Sequence, residues 1–358
     1  MNSDVKSMAT NPGDSSRADL YRVAIVGAAS IKGKEIAEVL SDRNFPALEI
    51  KLLDDDEALG RLETVGDEVS FIQKIRAEQF DKVDFTFFTS DQECTRKSWK
   101  AARDAGSTIV DLSFALEETP GAVLRSPWLE RQLGVAPAPE LQPGPSVVAH
   151  PAAVVLALLL QRIQKTAPIE AAAATVFEPA SEHGQAGMDE LHEQTVNLLS
   201  FQQLPKSIFD TQVAFNLVTA FGGQAAPPLV SIEARILKHY EQIAGAAPIV
   251  PSLLLVQAPI FHGHVFALHL QMKAAADVAQ AAKALAGEHV NVTKRGEEPP
   301  SNVNAAGQED ILVSVSPDAN HAHGLWLWAA SDNLRVAAAN AVECAESMAA
   351  MRPRGKIQ

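Results

Sequence analysis

The chain is expected to be an α/β protein in two parts, a doubly wound parallel sheet followed by an α+β domain on a mixed sheet. Three observations carry this. Over roughly the first third, short and nearly continuous apolar runs alternate with helical stretches, as in a parallel sheet covered on both faces. Further on, the runs lengthen and mix with helices, which suits a largely antiparallel or mixed sheet. Between the two textures, "VVAHPAAVVLALLLQRI" (147–163) reads as a strand end broken at His150-Pro151 into an apolar helix.

Taken in order, "YRVAIVGAAS" is a strand from Tyr21 to Val26 ending in a turn at Gly27. "IKGKEIAEVLSDRNF" has Ile31, Ile36, Val39 and Leu40 at helical spacing, and "ALEIKLLDDD" is a second strand that ends in acid. "VDFTFFTS" and "STIVDLS" are further strands flanking the helix "ECTRKSWKAARDAG". The segment from Glu117 to Pro145 is rich in Pro, Glu and Gly and is expected to be irregular. After the junction, "IEAAAATVF", "PPLVSIEARI", "LLLVQAPIF" and "VFALHLQM" read as strands, and "GMDELHEQTVNLLSFQ" and "DVAQAAKALAG" as helices. "SDNLRVAAANAVECAESMAAM" reads as an amphipathic helix able to pack back on the first domain.

The bulk numbers exclude several classes. A chain of 358 residues can hold two sizeable cores, and 47% hydrophobic residues is ordinary for a globular protein. A formal charge of −14 argues against nucleic acid or an anionic membrane as partner. "AAVVLALLL" is too short to span a bilayer. The two cysteines, Cys94 and Cys344, fit no metal or redox spacing, and a cytoplasmic location is expected. The first 20 residues carry no apolar h-region and are expected to be a disordered tail.

Two motifs speak to a ligand. "VGAASIKG" places Gly27 and Gly33 between a strand and a helix, with Ser30 where a full dinucleotide fingerprint has its middle glycine, and Ile31 opens the helix. Such a Rossmann-type turn lets a pyrophosphate approach the backbone, although a tight turn that has lost its ligand would look the same. The acids of "LLDDDEALG", Asp55 among them, suit the ribose hydroxyls of NAD and disfavour NADP. An acid-capped loop is the plainer alternative.

Three later stretches bear on the reaction: "FEPASEHGQAGMDELHEQT" with "IFDTQVAFN", then "VQAPIFHGHVF", then "WAASDNLRVAAANAV". In order and spacing they resemble the aspartate-semialdehyde dehydrogenase family, over roughly residues 21 to 348. The resemblance implies a nicotinamide-dinucleotide domain (21–148), a dimerisation and former catalytic domain (149–330), and a C-terminal helix (331–358) returning to the first domain. It also implies a homodimer and a reaction through a cysteine thioester, with the thiolate at a helix N-terminus that lowers its pKa.

Carried over residue by residue, the resemblance exposes losses. The family's nucleophile matches Ala153, which cannot form a thioester, and its neighbouring glutamine matches Glu178. The substrate arginine matches Gln257, the phosphate-binding arginine matches Glu117, and an NADP-selective arginine matches Glu57. Paired glycines after the fourth strand match Asp91-Gln92. Other positions are kept: His264 matches the acid/base histidine, Glu233 the glutamate for the substrate amine, and Arg235 a substrate-site lysine. Asn333 and Arg335 match the cofactor-contact motif, with Val336 and Ala337 departing from it. Among the branches, the chain is most similar to the Usg-type paralogues that lack the catalytic cysteine.

Plainer readings stand beside these. His264 without a cysteine partner suits a structural histidine, and the pairs His262/His264 and His321/His323 lack the carboxylate or cysteine that would mark a metal site. Cys94 near a helix start is a conceivable relocated nucleophile, but it belongs to the cofactor domain. Three functions follow: a catalytically degenerate, dimeric family member that holds NAD or another small molecule; a working NAD(P)-dependent aldehyde oxidoreductase; or a structural partner that forms mixed dimers through "GMDELHEQTVNLL".

Overall fold

Val23 and Ile25 of the first strand face one layer of helices while Ala24 and Val26 face the other, so the run is apolar on both sides. The computed structural model describes residues 20–55, 58–65, 68–135, 144–246, 249–294 and 296–351. Glu57 and the expected tail, save Leu20, lie outside the described residues.

The first part comprises β1 (Tyr21–Val26), α1 (Ile31–Asp42), β2 (Ala47–Asp54), a hairpin of β3 (Leu62–Val65) and β4 (Glu68–Phe71), β5 (Gln73–Lys74), β6 (Phe85–Phe88), α2 (Gln92–Asp104), β7 (Thr108–Asp111), β8 (Val123–Arg125), α3 (Pro127–Leu133) and β9 (Ser146–Val148). Its seven-stranded sheet, in the order β5-β2-β1-β6-β7-β9-β8, is parallel at every pairing. The segment expected to be irregular after Glu117 instead contains β8 and α3. Pro127 starts that helix at a position needing no N–H, and Gly134 ends it in the left-handed conformation.

The second part comprises α4 (Pro151–Thr166), β10 (Ile169–Glu178), α5 (Gly184–Leu199), α6 (Leu229–Ile243), β11 (Ser252–Gln257), β12 (His264–Met272), α7 (Val278–Leu285), β13 (Val290–Val292), α8 (Asn302–Ala305), β14 (Ile311–Pro317) and β15 (Gly324–Ser331). Its six-stranded sheet runs β11-β10-β12-β15-β14-β13, with two parallel and three antiparallel pairings. The expectation of a strand at "PPLVSIEARI" is corrected: those residues open α6. Leu229, Ile232, Ile236, Tyr240 and Ile243 recur every three or four residues and are buried, a helical period rather than an alternating one. The strands β14 and β15 had no counterpart in the sequence reading.

Two helices tie the halves together. From Pro151 to Leu160 α4 is buried on every side, as expected of a helix apolar all round. The final helix, α9 (Asn333–Met351), does pack on α1, but it is not a one-sided amphipathic helix. Every residue from Asn333 to Ala345 is buried, because α9 also meets α3, α4, β7 and β9. Its polar residues are paired instead of exposed: Arg335 meets Glu35, Glu38 and Asp42 of α1, and Glu343 meets Arg43 and Arg131.

Candidate functional site

The end of β9 turns at His150 into α4, with Pro151 as the first helical residue. His150 caps the helix: its Nδ1 accepts the Ala152 N–H at 3.2 Å. Since Nδ1 is an acceptor, the proton of the neutral ring sits on Nε2, which faces Glu182 Oε2 at 3.9 Å. Ala152 and Ala153 follow, both fully buried. A methyl group occupies the position where a nucleophile would gain from the helix dipole.

Glu182 is the centre of the polar cluster. Its carboxylate lies 3.8 Å from His264 Nε2 and accepts the Asn333 amide at 2.9 Å. Asn333 in turn accepts from the Ser181 hydroxyl and the Gly263 N–H, both at 3.1 Å. Burial works to raise the Glu182 carboxyl, but His150, Lys32, His264 and Asn333 outweigh it and hold it down to about 2. Burial pushes both His150 and His264 below the ordinary imidazole range, against the pull of Glu182. A cleft of about 250 Å³, including solvent at its mouth, is lined here by Lys32, Phe114, Pro151, Glu182, Asn333 and Ala337.

A second cluster lies behind it. Glu117 accepts from Arg235 Nε at 2.8 Å and His239 Nε2 at 3.0 Å, with Lys238 at 3.8 Å. His239 Nδ1 accepts the His150 backbone N–H at 2.9 Å, so this ring is a donor at Nε2 and links Glu117 to the start of α4. Burial opposes ionisation of Glu117, yet the His239 hydrogen bond and the charges of Arg235 and Lys238 keep its carboxyl below the usual range.

The second sheet contributes a third group. Glu178 pairs with Gln257 in the β10/β11 register, and the Phe177–Val265 pair sets Glu178 beside His264. The sheet therefore brings together three of the residues singled out from sequence. Gln257 donates to the carbonyls of Glu178 and Ala258, each at 3.0 Å, and Glu178 Oε1 meets His183 at 3.2 Å. Glu233 is not part of this group; it accepts the Leu255 N–H at 2.8 Å.

At the glycine turn, Gly27 has φ +87°, and a Cβ there would lie 2.4 Å from Ser90 N. A Cβ on Gly33 would lie 2.3 Å from the Gly27 carbonyl, so this glycine lets α1 pack on the turn. Ser30 caps α1 by accepting the Gly33 N–H at 3.0 Å. Ile31 packs toward the Phe209 cluster. Asp54 reaches the turn, where its Oδ2 accepts the Ala29 N–H at 2.7 Å; the next residue, Asp55, is exposed.

The plainer readings are also placed. Asp91 caps α2 through the Cys94 N–H, and burial pushes the Cys94 thiol up rather than activating it. Asp318 pairs with His269 and His321, and no group of three or more ligating side chains suits a metal among the described residues. No described helix is long and apolar enough to cross a membrane. Sequence reasoning missed Glu182, His239, Lys32 and Phe114. Glu182 stood inside a quoted motif, but nothing local distinguishes a carboxylate that will be buried from one that will not.

The chain matches two family models, the semialdehyde dehydrogenase NAD binding domain over residues 22–134 and the semialdehyde dehydrogenase dimerisation domain over 160–336. A USG-1 protein homolog of Azotobacter vinelandii is 31% identical, covering 90% of this chain and 96% of its own. The aspartate-semialdehyde dehydrogenase of Rickettsia conorii is 26% identical, covering 92% and 97%. Among solved structures, a probable aspartate-semialdehyde dehydrogenase from Pseudomonas aeruginosa superposes with a TM-score of 0.80 at 28% identity, over 91% of this chain and 98% of that one. By these relatives and its two-domain fold, the chain belongs to the semialdehyde dehydrogenase family, in its Usg-type branch.

Proposed function

We propose that this chain is a homodimeric, dinucleotide-binding member of the family that forms no thioester, with NAD preferred to NADP. The observation that carries the reading is the start of α4, where His150 caps the helix and the following side chains are the buried methyls of Ala152 and Ala153. The altered neighbours agree with it. Glu117 places a carboxylate where the family resemblance expects a phosphate-binding arginine, and Gln257 replaces the arginine fork that would hold a substrate carboxylate. Glu178 stands beside Gln257, where the resemblance expects a glutamine. His264 stands in the acid/base position, and Glu233 and Arg235 in the substrate positions, but Arg235 is spent on Glu117.

The residues present fit a dinucleotide. The Ile31 and Lys32 N–H groups lie in the first turn of α1, without intrahelical partners, where a phosphate is favoured. Lys32 and Asn333 line the adjoining cleft. The acids at the tip of β2, Asp54 and Asp55, favour ribose hydroxyls over a 2′-phosphate. When bound, the dinucleotide supplies a nicotinamide able to take a hydride. The chain's own residues hold and orient it, but provide no thiol at α4 to turn an aldehyde into a hydride donor.

The dimer is supported by the dimerisation domain and by a sheet face away from α4, α6 and α7. There Trp326, Trp328 and Leu254 remain 44%, 41% and 48% exposed. Two free cysteines suit a cytoplasmic setting. Calorimetric titration with NAD and NADP, paired with an assay on aspartate semialdehyde and phosphate, tests the reading. We expect NAD to bind more tightly than NADP, without turnover. Turnover at a rate typical of the active enzymes, insensitive to repurification, overturns it.

A further inference from the structure

Four strand ends form one row of polar side chains on the helix-covered face of the second sheet. Gln257, Glu178, His264 and Ser331 stand on β11, β10, β12 and β15 in that spatial order. All four are 0% exposed. Each has a buried polar atom without a hydrogen-bond partner: Gln257 Oε1, Glu178 Oε2, both ring nitrogens of His264, and Ser331 Oγ. Leaving such an atom unmet is costly, and native interiors rarely do so. A row of them, adjoining a cleft through Glu182, points to a polar guest.

The chemistry of the row selects the guest. Glu178 Oε2 and Gln257 Oε1 accept only, because the Gln257 amide N–H groups are spent on two backbone carbonyls. A neutral His264 ring has a lone pair to offer as well as an N–H. Glu182 adds a second buried carboxylate 3.8 Å from His264, and Glu117 already engages Arg235. A carboxylate or phosphate would meet oxygen lone pairs here, whereas N–H donors would be satisfied. Neighbouring strands are about 4.8 Å apart, so one nitrogen between Glu178 and Gln257 can reach both oxygens.

We propose that this row binds a primary ammonium group, as the free ammonium ion or the end of a small organic amine. Its N–H groups are donated to Glu178 Oε2 and Gln257 Oε1, and a third to the lone pair of His264. The proposal deepens the reading above by naming the small-molecule class of a site without thioester chemistry. It is measured without cofactor, so failed NAD binding leaves it standing and failed amine binding leaves the dinucleotide reading standing.

The test follows thermal unfolding and binding calorimetry of the full chain in ammonium, ethylammonium, tetramethylammonium, acetate and phosphate at matched ionic strength. Ammonium or ethylammonium should raise the melting temperature by several degrees, while tetramethylammonium, acetate and phosphate should not. A response to ammonium alone assigns the free ion; an equal or larger response to ethylammonium assigns an organic amine. Glu178→Gln should weaken the response by about tenfold or more, as for a lost charged hydrogen bond. Gln257→Met, which keeps the shape and removes the acceptor, should weaken it as well and serves if the first variant does not fold. No amine response at decimolar concentration means that water alone meets these atoms and overturns the proposal. A response to acetate or phosphate, or unchanged amine responses in both variants when folded, overturns it too.

Discussion

The Glu117 carboxylate accepts a hydrogen bond from Arg235 Nε at 2.8 Å, joining the loop after β7 to α6. With His239 and Lys238 on the same carboxylate, the basic groups of this corner are neutralised from within the chain. Glu117→Ala should therefore uncover an anion site. Phosphate or sulfate is expected to raise the melting temperature of the variant and not of the parent. Without added anion the variant should be less stable by about 1–2 kcal/mol, since three partners lose their acceptor. A variant indifferent to both anions would refute the internal-anion reading.

Glu182 sets a pH dependence. Its folded-state carboxyl is held down to about 2, below an unfolded value of about 4.3. A depressed carboxyl stabilises the fold fully above the unfolded value and loses that contribution as pH falls through the folded one. At neutral pH, where Lys32 and the Asn333 amide still favour the carboxylate, Glu182→Gln should lower stability. The gap between variant and parent should narrow from about pH 4.5 down to 2 in urea unfolding series. A gap independent of pH would show that ionisation is not what this residue contributes.

Restoring one atom should not restore a reaction. Ala153→Cys alone is expected to give no turnover of aspartate semialdehyde, because Glu117 and Gln257 still oppose an anionic substrate. Placing sulfur at a fully buried position should also cost about 1–3 kcal/mol. Activity near that of the active enzymes in this single variant, checked by circular dichroism to be folded, would refute the accounting.

The part of the sheet face left open beside α8 predicts the assembly. Trp326 and Trp328 alternate outward on β15 and remain partly exposed, and Trp328 Nε1 donates to the Pro300 carbonyl at 2.9 Å. Trp326→Glu combined with Trp328→Glu should convert a dimer to a monomer in light-scattering measurements. A double variant that stays dimeric would move the interface elsewhere, the α5 region being the next surface to probe.

Much of the architecture was legible along the chain, because strands buried on both faces and helices of steady period leave marks in a single segment. The errors have local reasons. In "PPLVSIEARI" the β-branched Val230 and Ile232 alternate as in a strand, while the helical spacing of Leu229, Ile232 and Ile236 is carried on by Tyr240 and Ile243 beyond it. The polar residues of α9 looked like an exposed stripe, but Arg335 and Glu343 find charged partners on α1, α3 and the residue following α1.

The sequence by itself determined that Ala153 stands where the family resemblance expects a nucleophile, and that Gly27, Ser30 and Gly33 shape a strand-to-helix turn. These are covalent identities and short-range geometry. Only the tertiary structure decided that Glu182 joins His150 and His264, that Asp54 reaches the glycine turn, and that Glu117 engages Arg235 and His239. It also decided that Gln257, Glu178, His264 and Ser331 share one row. The physical reason is that hydrogen bonding and desolvation depend on which distant segments meet, and strand register, not spacing along the chain, sets that here.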